Sequence, residues 1–262
     1  MKTVRSSDGT IIAFDQWGEG SPLVYVGGAL NDRSAGAPLA AILAQRFTVL
    51  SYDRRGRGAS GDTKPYAVER EVEDLEALIV EAGGSAFVYG MSSGGALALE
   101  AAAGGLAITK LAIYEPPFAA DDNQRRGARE YATKLTELLS AGRRGDAIEL
   151  FMTMVGMPAE LIGQMRSAPM WPALEALAPS LAYDSAVMGD SSRGSSLPTE
   201  RLAAVATPTL VLDGGASPAW MREMAWQVAN ALPGGQHRRL EGQTHDVAPK
   251  ALAPVLEEFF AG

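Results

Sequence analysis

The chain has 262 residues, a formal net charge of −8, two histidines and no cysteine. Hydrophobic residues make up 47% of it, enough for an ordinary folded core, while its acidity repels phosphate backbones and argues against nucleic acid as a partner. Without cysteine there is no disulfide, thiolate metal site or cysteine nucleophile, and no run is apolar enough for a membrane span or signal peptide, so a cytoplasmic protein without a membrane partner is expected.

Strand-type and helix-type segments alternate. Thr10–Phe14 and Pro22–Val26 are short β-type runs, and the second ends in Gly27-Gly28. Phe47–Tyr52 is a third run, ending at Asp53. From Tyr66 to Ala82, Val68, Val72, Leu75, Leu78 and Ile79 fall on one helical face. Ala86–Tyr89 is strand-like and stops at Gly90; Gly94–Ala103, rich in alanine and leucine, reads as a buried helix. Leu111–Tyr114 is the next strand. From about Pro117 to Pro198 the strand signal disappears, and Asp121–Ser140, Asp146–Val155, Ala159–Arg166 and Ala173–Met188 have helical patterning. Alternation resumes with Thr209–Asp213, a helix near Ala219–Ala231, a short strand Arg238–Leu240 and a closing helix from Val247. Such alternation implies a mostly parallel sheet covered on both faces. The helical interruption implies an insertion over one edge, dividing the chain into a core of residues 1–117 and 200–262 and a cap of 118–199.

Four motifs carry chemistry. Gly90-Met91-Ser92-Ser93-Gly94 lies between a strand and a helix, the setting of a nucleophile elbow. Its small residues permit a tight turn that exposes the Ser92 hydroxyl at the positive end of a helix. Val26-Gly27-Gly28-Ala29 follows a strand and lets a backbone N–H approach a developing oxyanion; Ala29 and Ser93 are the candidate donors. In Asp53-Arg54-Arg55-Gly56-Arg57-Gly58-Ala59-Ser60 the charges are expected to tie a loop to its neighbours. Glu241-Gly242-Gln243-Thr244-His245 follows the last strand and supplies His245, the candidate general base. The other histidine, His237, is flanked by Gln236 and Arg238 and reads as a surface residue.

Together the elbow, the post-strand glycines, the D-x-R-G-x-G-x-S run and the terminal G-x-x-H resemble the α/β-hydrolase superfamily over essentially the whole chain. The resemblance implies an α/β fold with a mostly parallel eight-stranded sheet, a helical cap after the sixth strand, and a triad in the order serine, acid, histidine. The segment Asp213-Gly214-Gly215-Ala216-Ser217 departs from the family pattern, because the usual acid position is held by Ser217. Glu115, just beyond the sixth strand where some relatives place the acid, is the expected partner of His245, with Asp213 as the alternative. Asp213 is expected to end its strand and point across the sheet face.

A serine at the elbow argues against the dehalogenases and epoxide hydrolases of the superfamily, which use aspartate there. Ester, lactone or other acyl hydrolysis of a small, apolar substrate is the leading expectation. Carbon–carbon hydrolysis, a lyase using the same site, and a non-catalytic ligand receptor are the alternatives. No cofactor is expected, and with two histidines and no acidic cluster no metal site. The cap region carries Phe151, Met152, Met154, Met157, Met165, Met170 and Trp171. Most should be plain core, with Met154 and Trp171, beside Gly28, as the pocket candidates.

Overall fold

The computed structural model describes residues 1–119, 121–189 and 198–262. Its strands are β1 (Lys2–Arg5), β2 (Ile11–Trp17), β3 (Ser21–Val26), β4 (Phe47–Tyr52), β5 (Ala86–Met91), β6 (Ile108–Tyr114), β7 (Thr209–Gly214) and β8 (Gly235–Leu240). They form one sheet in the order β1-β2-β4-β3-β5-β6-β7-β8. The β1–β2 and β2–β4 pairs are antiparallel, and from β4 to β8 every pair is parallel.

Alternation along the central strands builds two cores, since successive side chains point to opposite faces. Leu23 and Tyr25 of β3 face α1 (Ala37–Leu43) and α11 (Pro249–Ala261), joining Leu39, Leu43, Leu252, Leu256 and Phe260. Val24 and Val26 face the other layer, made by α2 (Val68–Glu81), α3 (Ser93–Ala103) and α10 (Ala219–Ala231), with Leu75, Leu78, Leu97 and Val228. Both faces are therefore sealed, which is why the parallel strands are apolar throughout.

The helical insertion lies between β6 and β7. It comprises α4 (Asp122–Ser140), α5 (Arg144–Met154), α6 (Ala159–Arg166), α7 (Trp171–Leu177) and α8 (Leu181–Val187), and a short α9 (Thr199–Ala203) precedes β7. It has its own core of Leu135, Leu138, Ile148, Met152, Ile162, Trp171 and Leu181, against which Ala29 and Leu30 of the body also pack. Of the expected cap span 118–199, residues 120 and 190–197 lie outside the described residues.

The structure departs from the expected elements where local signals are weak. Strand β1 is largely exposed and has no apolar alternation to betray it. The single helix expected over Ala173–Met188 is two, α7 and α8, separated by a 3₁₀ turn at Ala178–Ser180. Pro179 has no N–H to continue an α-helical ladder there. Strand β7 runs one residue past Asp213, to Gly214. No described helix is long and apolar enough to cross a membrane.

Candidate active site

Ser92 occupies the turn between β5 and α3 with φ 55° and ψ −126°, left-handed backbone that costs a non-glycine residue about 1–3 kcal/mol. The turn is held from both sides. Ser92 N–H donates to the Tyr114 carbonyl at 2.9 Å, and the N–H groups of Gly95 and Ala96 donate to the Ser92 carbonyl at 2.9 and 3.2 Å. A Cβ on Gly94 would sit 2.3 Å from the Val26 carbonyl oxygen, and one on Gly90 would sit 2.6 Å from that of Gly94. The glycines are thus required by close backbone approach. Among the described residues, only Leu30, Ser92 and Glu115 lie at positive φ without being glycine. They follow β3, β5 and β6, three neighbouring strands, at one edge of the sheet.

At that edge His245 meets Glu115: Nδ1 lies 2.8 Å from Glu115 Oε2. An ionised carboxylate can only accept, so Nδ1–H donates and Nε2 of the neutral ring is left as an acceptor. The Glu115 side chain is fully buried, and its Oε1 accepts from Gly214 N–H at 2.8 Å. The histidine loop is pinned by Tyr114, whose hydroxyl donates to the Thr244 carbonyl at 2.6 Å. Burial, together with the Glu115 and Asp213 charges, raises the Tyr114 phenol above its ordinary value and keeps that donor protonated.

Asp213 is buried on the sheet and engaged elsewhere. Its Oδ2 lies 2.5 Å from His237 Nε2, and its Oδ1 accepts from Arg239 Nε at 2.8 Å. His237 is accordingly half-buried on β8, not the plain surface residue its polar neighbours suggest. Strand register explains the pairing: β7 and β8 are parallel neighbours, with Val211 opposite His237 and Asp213 opposite Arg239.

Ser92, Ser93 and Ala29 line a cavity of about 430 Å³ between the sheet edge and the insertion. Gly28 stands directly beside the serine; a Cβ there would lie 3.1 Å from Ser92 Cβ. The upper wall carries Phe118, Tyr131, Phe151, Met154, Leu181 and Met188, and Trp220 and Met221 at the start of α10 complete it. Met154 therefore reaches the cavity. Trp171 does not: its ring is in the core of the insertion, with Nε1 donating to Glu175 Oε1 at 3.1 Å. Sequence reasoning missed Tyr131, Trp220 and Met221, whose positions on their helices carry no local signal of a cavity.

The arginine-rich motif forms a buried charged layer. Asp53 closes the loop by accepting from Arg33 N–H at 2.7 Å and Ala59 N–H at 2.8 Å, while Ser60 Oγ donates to the Asp53 carbonyl at 2.6 Å. Arg55 makes a two-pronged contact with Asp74 at 2.8 and 2.7 Å, and Arg54 one with Glu71 at 2.7 and 2.8 Å. Arg54 and Arg57 both also donate to Asp184 Oδ1 at 2.7 Å. All three guanidiniums are buried, so the loop is tied to its neighbours from within. Asp184, which comes from α8, had no signal in the sequence. Burial disfavours its charge, but the Arg57 and Arg54 guanidiniums and the Ser93 hydroxyl prevail and hold its carboxyl below the ordinary carboxylate range. Among the described residues no group of three or more His, Asp or Glu side chains is placed to hold a metal ion.

The sequence model of the Alpha/beta hydrolase family matches residues 11–255. The crystal structure of an alpha/beta hydrolase from Sphaerobacter thermophilus is similar at 58% identity and a TM-score of 0.89, covering 99% of this chain and 100% of that one. A thermophilic esterase from Thermogutta terrifontis is 22% identical with a TM-score of 0.71, over 99% and 97% of the two chains. The enol-lactonase from Burkholderia xenovorans is 21% identical with a TM-score of 0.70, over the full length of both.

Proposed function

Because the chain belongs to the Alpha/beta hydrolase family, we propose that it is a serine hydrolase that cleaves an ester, lactone or related acyl bond of a small, largely apolar substrate. Ser92 is the nucleophile, His245 the general base, and Glu115 the carboxylate that orients the imidazole. The backbone N–H groups of Ala29 and Ser93 are the oxyanion donors. Residues 118–199 act as the cap over the substrate.

In this reading the Ser92 hydroxyl gives its proton to His245 Nε2 as Oγ attacks the carbonyl carbon. The carbonyl oxygen becomes an oxyanion facing the two N–H donors, which stabilise charge that the ground state lacks. The imidazolium, stabilised by Glu115, then protonates the leaving alkoxide as the C–O bond breaks, leaving an acyl-enzyme. Water deprotonated by His245 attacks that ester, and Ser92 recovers its proton as the acid departs. The apolar upper wall of the cavity suits an alkyl or aryl group. The esterase and the enol-lactonase share the fold with this chain.

The observation that carries the proposal is the Glu115–His245 contact at the sheet edge where Ser92 stands in strained backbone. The test is a panel of p-nitrophenyl esters of increasing acyl length with a fluorophosphonate probe mapped by mass spectrometry. Turnover abolished by Ser92→Ala, with the probe on Ser92 alone, is the expected result. A probe on Ser93, or ester binding with neither turnover nor labelling, refutes it; the latter is the behaviour of a receptor.

A further inference from the structure

Arg54, Arg57 and Asp184 play no part in the proton transfers above, yet they contact the peptide group that presents the Ala29 N–H and the side chain of Ser93, the other proposed donor. Arg57 Nη1 donates to the Gly28 carbonyl at 2.5 Å and to that of Asn31 at 3.3 Å. Arg54 Nη1 reaches the Gly27 carbonyl at 3.3 Å. Asp184 Oδ1 accepts from both guanidiniums and also from Ser93 Oγ, each at 2.7 Å. One oxygen of a helix of the insertion thus ties together the loop after β3 and the turn after β5.

The Gly28 carbonyl and the Ala29 N–H belong to one peptide unit. In a planar trans peptide they point in opposite directions, so a donor fixed on the carbonyl fixes the heading of the N–H. A cationic donor also polarises the unit and makes its N–H the better donor. Arg57 is therefore placed to aim and strengthen the Ala29 N–H, and its guanidinium is held in place by Asp184. Ser93, the other proposed donor, is held by the same carboxylate through its hydroxyl.

Stability alone is a poor reason for such a cluster. Arg54, Arg57, Glu71 and Asp184 are all buried, and a well-packed apolar replacement for buried ion pairs is often neutral or stabilising. A fixed orientation for a reacting group is what the cluster supplies that an apolar replacement would not.

We propose that Asp184 is a positioning residue of the oxyanion hole: through Arg57 it sets the donor peptide of Ala29, and through the Ser93 hydroxyl it ties the turn of the second donor to the same carboxylate, so the seating of the cap and the geometry of the hole are one unit. The inference rests on the serine-hydrolase reading above. The functional effect is on the transition state, where the donors act, and not on substrate affinity.

The test compares Asp184→Ala, Asp184→Asn and Ser93→Ala with the wild type. Measurements are kcat and KM for p-nitrophenyl butyrate, the fluorophosphonate inactivation rate, and inhibition by a trifluoromethyl ketone, which forms a tetrahedral oxyanion. Losing one oxyanion donor outright costs about a hundredfold to a thousandfold, so a misdirected Ala29 donor in Asp184→Ala should lower kcat about tenfold to a hundredfold. KM should stay within about twofold, while inactivation and ketone affinity weaken in parallel with kcat. Asp184→Asn, which keeps an oxygen for Arg57, should recover part of the loss. Ser93→Ala keeps the backbone N–H and removes one tie, and should lower kcat about tenfold. A folded Asp184→Ala with unchanged kcat, or with KM alone raised, overturns the inference. Should Asp184→Ala not fold, Ser93→Ala decides on the same measurements, and unchanged kcat overturns it. Absence of turnover and labelling in the wild type removes the hydrolase reading itself, whereas an active wild type with unaffected variants removes only this inference.

Discussion

Glu115 Oε2 lies 2.8 Å from His245 Nδ1, across 130 residues of sequence. The other buried carboxylate of the neighbouring strand, Asp213, spends both oxygens on His237 and Arg239. The two acids therefore have separable consequences. Glu115→Gln should lower kcat by up to about ten-thousand-fold, the effect known when a triad acid becomes an amide. Asp213→Asn should keep kcat within about tenfold and lower the urea midpoint instead, because it loosens β7 against β8. Steady-state kinetics and urea titration of both variants check this; the reverse pattern would move the role to Asp213.

On the proposed mechanism His245 takes the Ser92 proton, so removing its imidazole should slow every step that needs the base. His245→Gln should lower kcat for an ester and the fluorophosphonate labelling rate of Ser92 together, each by about a hundredfold or more. A folded His245→Gln variant that labels at the wild-type rate would exclude His245 as the base.

Met154 and Trp171 both belong to the insertion but should respond differently. Met154 lines the cavity and is half exposed. Met154→Ala should shift preference among acyl chain lengths and leave the melting temperature near that of the wild type. Trp171 is 5% exposed within the core of the insertion. Trp171→Ala should cost about 3–5 kcal/mol of stability, as large-to-small core changes do, and should affect short and long esters alike. A profile of chain-length preference with thermal melts of both variants distinguishes them.

Asp184 links stability to pH. Its carboxyl is held below the ordinary carboxylate range in the folded protein, through Arg57, Arg54 and Ser93 acting against burial. A group depressed in this way contributes stability above its unfolded value and loses it as the pH falls through the folded one. Between about pH 5 and about pH 2 the wild type should therefore lose more stability than Asp184→Asn, whose amide does not titrate. Urea midpoints across that range give the difference, and parallel curves would contradict the assignment.

Much of the fold could be read locally because its signals are local. A parallel strand sealed on both faces is a short apolar run, and α2 shows its buried face at Leu75, Leu78 and Ile79 within fourteen residues. Weak or interrupted signals failed for equally local reasons. Strand β1 is polar and exposed, and a proline-containing turn divides α7 from α8.

The sequence by itself determined the elbow: Gly90 and Gly94 flank Ser92 between a strand and a helix, and the close backbone contacts that demand glycine arise within that turn and the adjoining β3. It also determined that the nucleophile candidate is a serine and that a histidine follows the last strand. Only the tertiary structure decided which carboxylate meets His245, since strand order and register, not spacing along the chain, bring Glu115 to the histidine loop and turn Asp213 toward β8. It alone decided that Arg54, Arg55 and Arg57 are buried, because a guanidinium enters a core only where carboxylates from distant segments, Glu71, Asp74 and Asp184, converge to meet it.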